Sequence, residues 1–205
     1  MKKYLICKKI GMTEVIHETG KVEPVSVLKL TEMDILETRT YEHNGYQAVV
    51  VAYEKVSEKK LSKPRLGIFK KLDKDFKKSI VEYRMEEIPE DPYSLINLND
   101  VKEGASLTIK SKSKGKGFAG TIKKHNFQRG PESHGSKNHR RPGSIGAGTS
   151  PSRVLKGTRM AGKMGSNNVT TKSILIKVDS ENGCLYVRGP VSGSKGTNVF
   201  VEVNQ

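Results

Sequence analysis

The residues with the most chemical potential lie between Lys112 and Arg141, in the stretch KSKGKGFAGTIKKHNFQRGPESHGSKNHRR. Gly115-x-Gly117-x-x-Gly120 follows a strand-like run, Ser106-Leu-Thr-Ile-Lys110, which is the setting of a dinucleotide-binding loop. Such a loop needs a helix opening at the third glycine and an acid about 20 residues further on to hold the ribose. Between Gly120 and Thr170 the only acid is Glu132, and Gly130-Pro131 would end a helix early. Lys112, Lys114, Lys116, Lys123 and Lys124 also bring more charge than one pyrophosphate needs. Glycine and lysine together read instead as a backbone able to lie close along a phosphate chain while alternate lysines neutralise it.

His125, His134 and His139 share this segment, but a zinc site needs four N, S or O ligands in tetrahedral array and no cysteine is near. Histidines among lysines hydrogen-bond phosphate or stack on a base, and no metal is expected. Ser144, Ser150 and Ser152 stand outside any G-x-S-x-G elbow, so neither nucleophilic catalysis nor a cofactor is expected. Carboxylates elsewhere, such as Glu86, Glu87 and Asp91, read as solvated surface. Met160 and Met164, four apart, read as a small apolar contact back onto the folded core.

The elements that must position this segment differ from it in composition. Residues 111–172 hold 14 Lys or Arg against one acid, whereas the remainder of the 205-residue chain holds 23 against 21; the segment thus carries +13 of the formal +15. It also holds 11 of the 20 glycines and only two aromatics, Phe118 and Phe127. Such a composition buries too little apolar area to offset its conformational entropy, so alone it is expected to be irregular and to order on a polyanionic partner. The flanks carry short runs rich in Val, Ile, Leu, Thr and Tyr: Met12 to His17, Val25 to Leu30, Asp34 to Thr40, Gln47 to Tyr53, Ile80 to Met85, Leu107 to Lys110, Ile174 to Val178, Cys184 to Arg188 and Asn198 to Val203. Turn signals separate them, among them Asn44-Gly45 and Glu181-Asn-Gly183. This pattern predicts an antiparallel barrel or sandwich. One short helix is expected over Lys63 to Leu72, with Pro64 at its start and Leu66, Phe69 and Leu72 on one face.

Cys7 and Cys184 read as reduced, partly buried thiols. The apolar run Tyr4 to Cys7 is too short for a secretory signal, and Ala48 to Ala52 falls far below the roughly 18 residues of a membrane span. The expectation is a soluble cytoplasmic protein without a membrane partner, in which the sequon Asn168-Val-Thr170 is a chance match.

Six tracts carry a family resemblance: Lys9-Ile-Gly-Met-Thr13, Ser113-Lys-Gly-Lys-Gly-Phe-Ala-Gly120, His134-Gly-Ser-Lys137, His139-Arg-Arg-Pro-Gly-Ser-Ile-Gly146, Lys156-Gly-Thr-Arg-Met-Ala-Gly162 and Met164-Gly165. From Lys8 to Val203 the chain resembles the bacterial-type L-three proteins of the large ribosomal subunit. The resemblance implies a mainly β fold: a six-stranded Greek-key barrel of the translation-protein type, with a small α+β insertion and a long irregular basic loop. It implies a globular domain over 1–110 and 173–205, with a helical insertion near 63–78, and an RNA-threading loop over 111–172 directed toward the peptidyl-transferase centre. It implies no catalysis and no small-molecule substrate, but a structural constituent that binds large-subunit ribosomal RNA early in assembly beside proteins L-fourteen and L-nineteen. Charge and resemblance together nominate Lys112, Lys114, Lys116, Lys123, Lys124, Arg129, His134, Lys137, His139, Arg140, Arg141, Arg153, Lys156, Arg159 and Lys163 as the RNA contacts. Some relatives carry glutamines after Gly-Ser-Ile-Gly, one of them a methylation target. Here Ala147-Gly-Thr-Ser150 offers no acceptor amide, so that modification is not expected.

Overall fold

The first strand, β1 (Lys2–Ile16), is much longer than its pattern suggests. Only Met12 to His17 reads as strand-like in the sequence: ahead of it Leu5, Ile6 and Cys7 are buried in succession, with Ile6 facing a different core from its neighbours, and a bulge between Lys9 and Gly11 shifts the register. The chain continues through β2 (Val22–Leu30), β3 (Met33–Arg39), the single turn α1 (Tyr41–Asn44), β4 (Ala48–Lys55), α2 (Lys63–Lys71), β5 (Lys77–Arg84) and β6 (Ser106–Lys112). It then passes β7 (Phe118–Ala119), α3 (Thr121–His125) and β8 (Gly162–Lys163) before β9 (Asn168–Asp179), β10 (Cys184–Arg188) and β11 (Asn198–Asn204). This computed structural model describes residues 2–98 and 101–204. They divide into two units, one drawn from Met1–Lys112 and Asn168–Gln205, the other Ser113–Asn167.

In the first unit six strands close a ring in the order β1-β11-β6-β9-β10-β2, with β2 returning to β1 and every pairing antiparallel. Closure leaves fewer unpaired backbone edges than an open sheet and decides between the two architectures that alternation alone left open. Alternation also supplies the interior: Leu107 and Ile109 of β6, Leu185 and Val187 of β10 and Val199, Val201 and Val203 of β11 are buried with Leu5, Leu28 and Leu175.

A separate three-stranded sheet, β3-β4-β5, packs against the outside of the ring. Ile6, turned away from the ring interior, joins Ile35, Val49, Val51, Tyr53 and Leu95 in a second core, and the Tyr53 ring meets Phe200 edge-on at 6.0 Å. On the sheet's other face α2 buries Phe69 with Leu36, Val50 and Ala52. Pro64 stands in the first turn of α2 as expected, and the helix ends at Lys71. The expected insertion near 63–78 therefore mixes elements, because Lys77 and Lys78 already open β5. The side chain of Lys77 is buried, 3% exposed, with Nζ 3.0 Å from Asp34 and 3.5 Å from Glu32.

Both cysteines are free and buried. Burial, helped by the nearby Cys184, pushes the Cys7 thiol up to about 12. Among the described residues no helix is long and apolar enough to cross a membrane.

Candidate nucleic-acid interface

The unit Ser113–Asn167 begins as a two-stranded ribbon built by close backbone approach. Ser113 N–H donates to the Asn167 carbonyl at 2.9 Å, Lys116 N–H to Met164 at 2.9 Å, and Met164 N–H to Gly117 at 2.9 Å. Phe118 then pairs with Lys163 and Ala119 with Gly162. At Gly165, where φ is +73°, a Cβ would stand 2.1 Å from the Lys114 carbonyl oxygen, so no other residue fits. Within the Gly115-x-Gly117-x-x-Gly120 tract only Gly117, at φ +66°, adopts a backbone conformation that favours glycine, and a Cβ on Gly120 would meet open space. A helix does open after Gly120, but α3 runs only from Thr121 to His125 and no βαβ unit surrounds it.

Beyond α3 the chain holds its shape with local hydrogen bonds. His125 Nε2 lies 3.0 Å from the Met160 carbonyl. Gly130 N–H donates to the His139 carbonyl at 2.9 Å, and His139 Nδ1 lies 2.8 Å from the Pro131 carbonyl, which pins the 130–139 turn at its base. A Cβ on Gly130 would fall 1.8 Å from the Asn138 carbonyl oxygen, so this crossing also needs glycine.

Lys112 is exposed near the end of β6, opposite Asn168. Lys114, Lys116, Lys123, Arg129, His134, Lys137, His139, Arg140, Arg141, Arg153, Lys156, Arg159 and Lys163 are exposed, and Lys124 is half-buried. Lys124 Nζ lies 3.1 Å from where a Gly162 Cβ would be, so this lysine lies along the ribbon. Lys137 and Arg141 flank a hollow of about 550 Å³ bordered by Pro142 and Ile145. Two exposed cations outside the nominated set, Lys172 on β9 and Arg188 on β10, border a hollow of about 350 Å³ with Ser106, Ser173 and Ile174. Their sequence signal is an ordinary surface alternation, which marks a strand face and nothing more.

Electrostatically the two units contrast. On the ring and its sheet, cations meet acids: Lys8 with Glu54 at 2.7 Å, Lys55 with Asp75 at 2.9 Å, Lys70 with Glu58 at 2.7 Å and Lys21 with Glu23 at 2.8 Å. Residues 113–167 contain 12 Lys or Arg and the single acid Glu132, which pairs with Arg129. The remaining like charges repel one another, and the backbone hydrogen bonds of the ribbon and turns hold them in place. Among the described residues no cluster of His, Cys, Asp or Glu has a metal-holding arrangement.

A β framework together with a segment dense in cations and nearly free of acids has the composition expected of proteins that meet a polyanion. A family model described as Ribosomal protein L3 matches residues 79–184. The chain is 44% identical over 195 residues to the large ribosomal subunit protein uL3c of Porphyra purpurea, covering 94% of this chain and 95% of that one. It is 39% identical over 203 residues to uL3 of Fervidobacterium nodosum, covering 97% of each, and 42% identical over 202 residues to uL3 of Clavibacter michiganensis, covering 96% and 92%. The chain belongs to the ribosomal protein L3 family. It is a structural constituent of the large ribosomal subunit and not an enzyme.

Proposed function

We propose that the chain holds large-subunit ribosomal RNA chiefly through the basic segment 111–172, with the globular parts 1–110 and 173–205 anchoring it. The observation that carries this reading is the concentration of charge: 12 cations and one already paired acid in residues 113–167, on a chain whose other surface is nearly balanced. Packed RNA helices repel one another, and a lysine-bearing ribbon only two backbones wide enters where a globular surface does not fit. Its lysines release counterions as they meet phosphates, and its arginines fork onto phosphate or stack on bases. The fifteen nominated residues, Lys112 to Lys163, are the contacts in this reading.

Membership of the family, and the tracts from Ser113 to Gly165, support the finer reading. The ring is a Greek-key barrel of the translation-protein type, with the β3-β4-β5 sheet and α2 as its insertion. The segment points toward the peptidyl-transferase centre, RNA binding comes early in assembly, and L-fourteen and L-nineteen are the neighbouring proteins.

The test compares two variants that each lose four positive charges. Lys114, Lys116, Lys123 and Lys163 to Ala weakens binding to large-subunit RNA and flattens the dependence of log affinity on log salt by up to about 0.7 to 0.9 for each phosphate left without its lysine. Lys59, Lys60, Lys63 and Lys71, all exposed on or beside α2, provide the control, and their replacement leaves the slope close to that of the parent. Equal weakening and equal slopes would mean that net charge alone governs binding, and would overturn the assignment to the segment.

A further inference from the structure

Phe118 is the most exposed large apolar side chain of the described residues, at 81%. Its orientation is specified by the ribbon. In β7 the neighbouring Ala119 is 3% exposed, and Ala119 pairs with Gly162, where an added Cβ would already crowd Lys124 Nζ at 3.1 Å. The inward side is taken by the small Ala119 opposite Gly162, while alternation turns Phe118 outward beside its cross-strand partner Lys163. A slip of one residue would exchange these positions, and the register is held by the paired backbone bonds of Lys116 and Gly117 with Met164 and by the close crossing at Gly165. A phenyl ring held in water by the register of a ribbon, in a unit with net charge +11, is placed for a partner that is both aromatic and anionic.

We propose that Phe118 is a stacking platform for one unpaired ribosomal RNA base, with Lys163 beside it to meet the phosphate of the same nucleotide. This rests on the RNA-binding reading above and names the element of the RNA that the ribbon takes: a single-stranded or bulged nucleotide, not a duplex flank. Stacking on an aromatic face is tolerant of base identity, so the platform adds affinity and position without sequence choice. It also explains why an aromatic occupies a site that offers no burial within the unit, where an apolar ring otherwise gains nothing from leaving water.

The chain has no tryptophan, which makes a direct reporter available. Full-length Phe118→Trp, titrated with a transcript of large-subunit RNA, should bind as the parent does and lose tryptophan emission as a base covers the indole. Phe118→Leu keeps an apolar side chain but removes the π-face, and should bind about tenfold more weakly with an unchanged salt slope, while Phe118→Tyr restores affinity. A blue-shifted but unquenched tryptophan would mean that the ring is buried against an apolar surface, and would overturn the base. Full affinity in Phe118→Leu would do the same. Both failures leave a salt-dependent RNA complex intact, whereas a parent chain that binds no RNA overturns the proposed function and this inference together.

Discussion

Cys7 illustrates how much a single position takes from its surroundings. It lies in the ring's core with no exposed surface, and its folded thiol titrates at about 12 against an ordinary value of 9.0. A raised acid stabilises the fold while it is protonated in both states, so its contribution is complete below about 9 and is lost as pH climbs from there toward 12. Cys7→Ala removes this titration at the cost of a small cavity. Urea unfolding between pH 8.5 and 11 is therefore expected to show the parent losing roughly 2 kcal/mol more than the variant over that range. Parallel curves would mean that the thiolate reaches water. The sequence shows two thiols far apart and without partners, which suffices to expect them reduced. It gives no sign that β1 and β10 both flank β2 and bring Cys7 near Cys184. The basic residues of the segment were legible because charge without acids is a property of composition. Lys77 was not, since its burial depends on which strand crosses beside it.

Elements were legible where alternation runs unbroken, as in β6 and β11, or where a short apolar run stands alone, as in β4 and β10, and α2 was legible from Pro64 and the spacing of Leu66, Phe69 and Leu72. The first half of β1 was hidden because Leu5, Ile6 and Cys7 are buried on both faces of the strand and a bulge follows between Lys9 and Gly11, and β7, α3 and β8 are too short to carry a period. Division of the strands between a closed ring and a β3-β4-β5 sheet is a matter of pairing, which one strand's pattern does not encode. The second sheet also contains an ion pair with unequal exposure, the side chain of Lys77 being 3% exposed and that of Asp34 32%. Asp34→Ala takes the nearest carboxylate from a buried ammonium and leaves it with Glu32 at 3.5 Å and the more distant field of Asp75, whereas Lys77→Met leaves a carboxylate that water can reach. The first change is expected to cost about 3 kcal/mol and the second about 1 kcal/mol, read by urea unfolding at pH 7. Equal costs, or the reverse order, would show that Lys77 keeps access to solvent through the edge of β5.

At the scale of the molecule, the ring and the basic segment answer to different physics: one is held by apolar burial, the other by short hydrogen bonds and glycine crossings against its own charge. The ring should therefore fold without the segment, and the register states where to cut. Lys112 and Asn168 face one another at the end of the β6–β9 ladder, so residues 113–167 can be replaced by Asn-Gly, which joins two antiparallel strands in a tight hairpin turn. The deletion removes 12 cations and one acid and leaves a formal charge of +4 of the original +15. The shortened chain is expected to keep the β circular dichroism and cooperative urea unfolding of the parent, while its binding to large-subunit RNA falls and loses most of its salt dependence. Retained RNA affinity with a parental salt slope would transfer the interface to the ring, where Lys172 and Arg188 would be the first cations to replace. Loss of cooperative unfolding would instead make the segment part of what holds the ring closed.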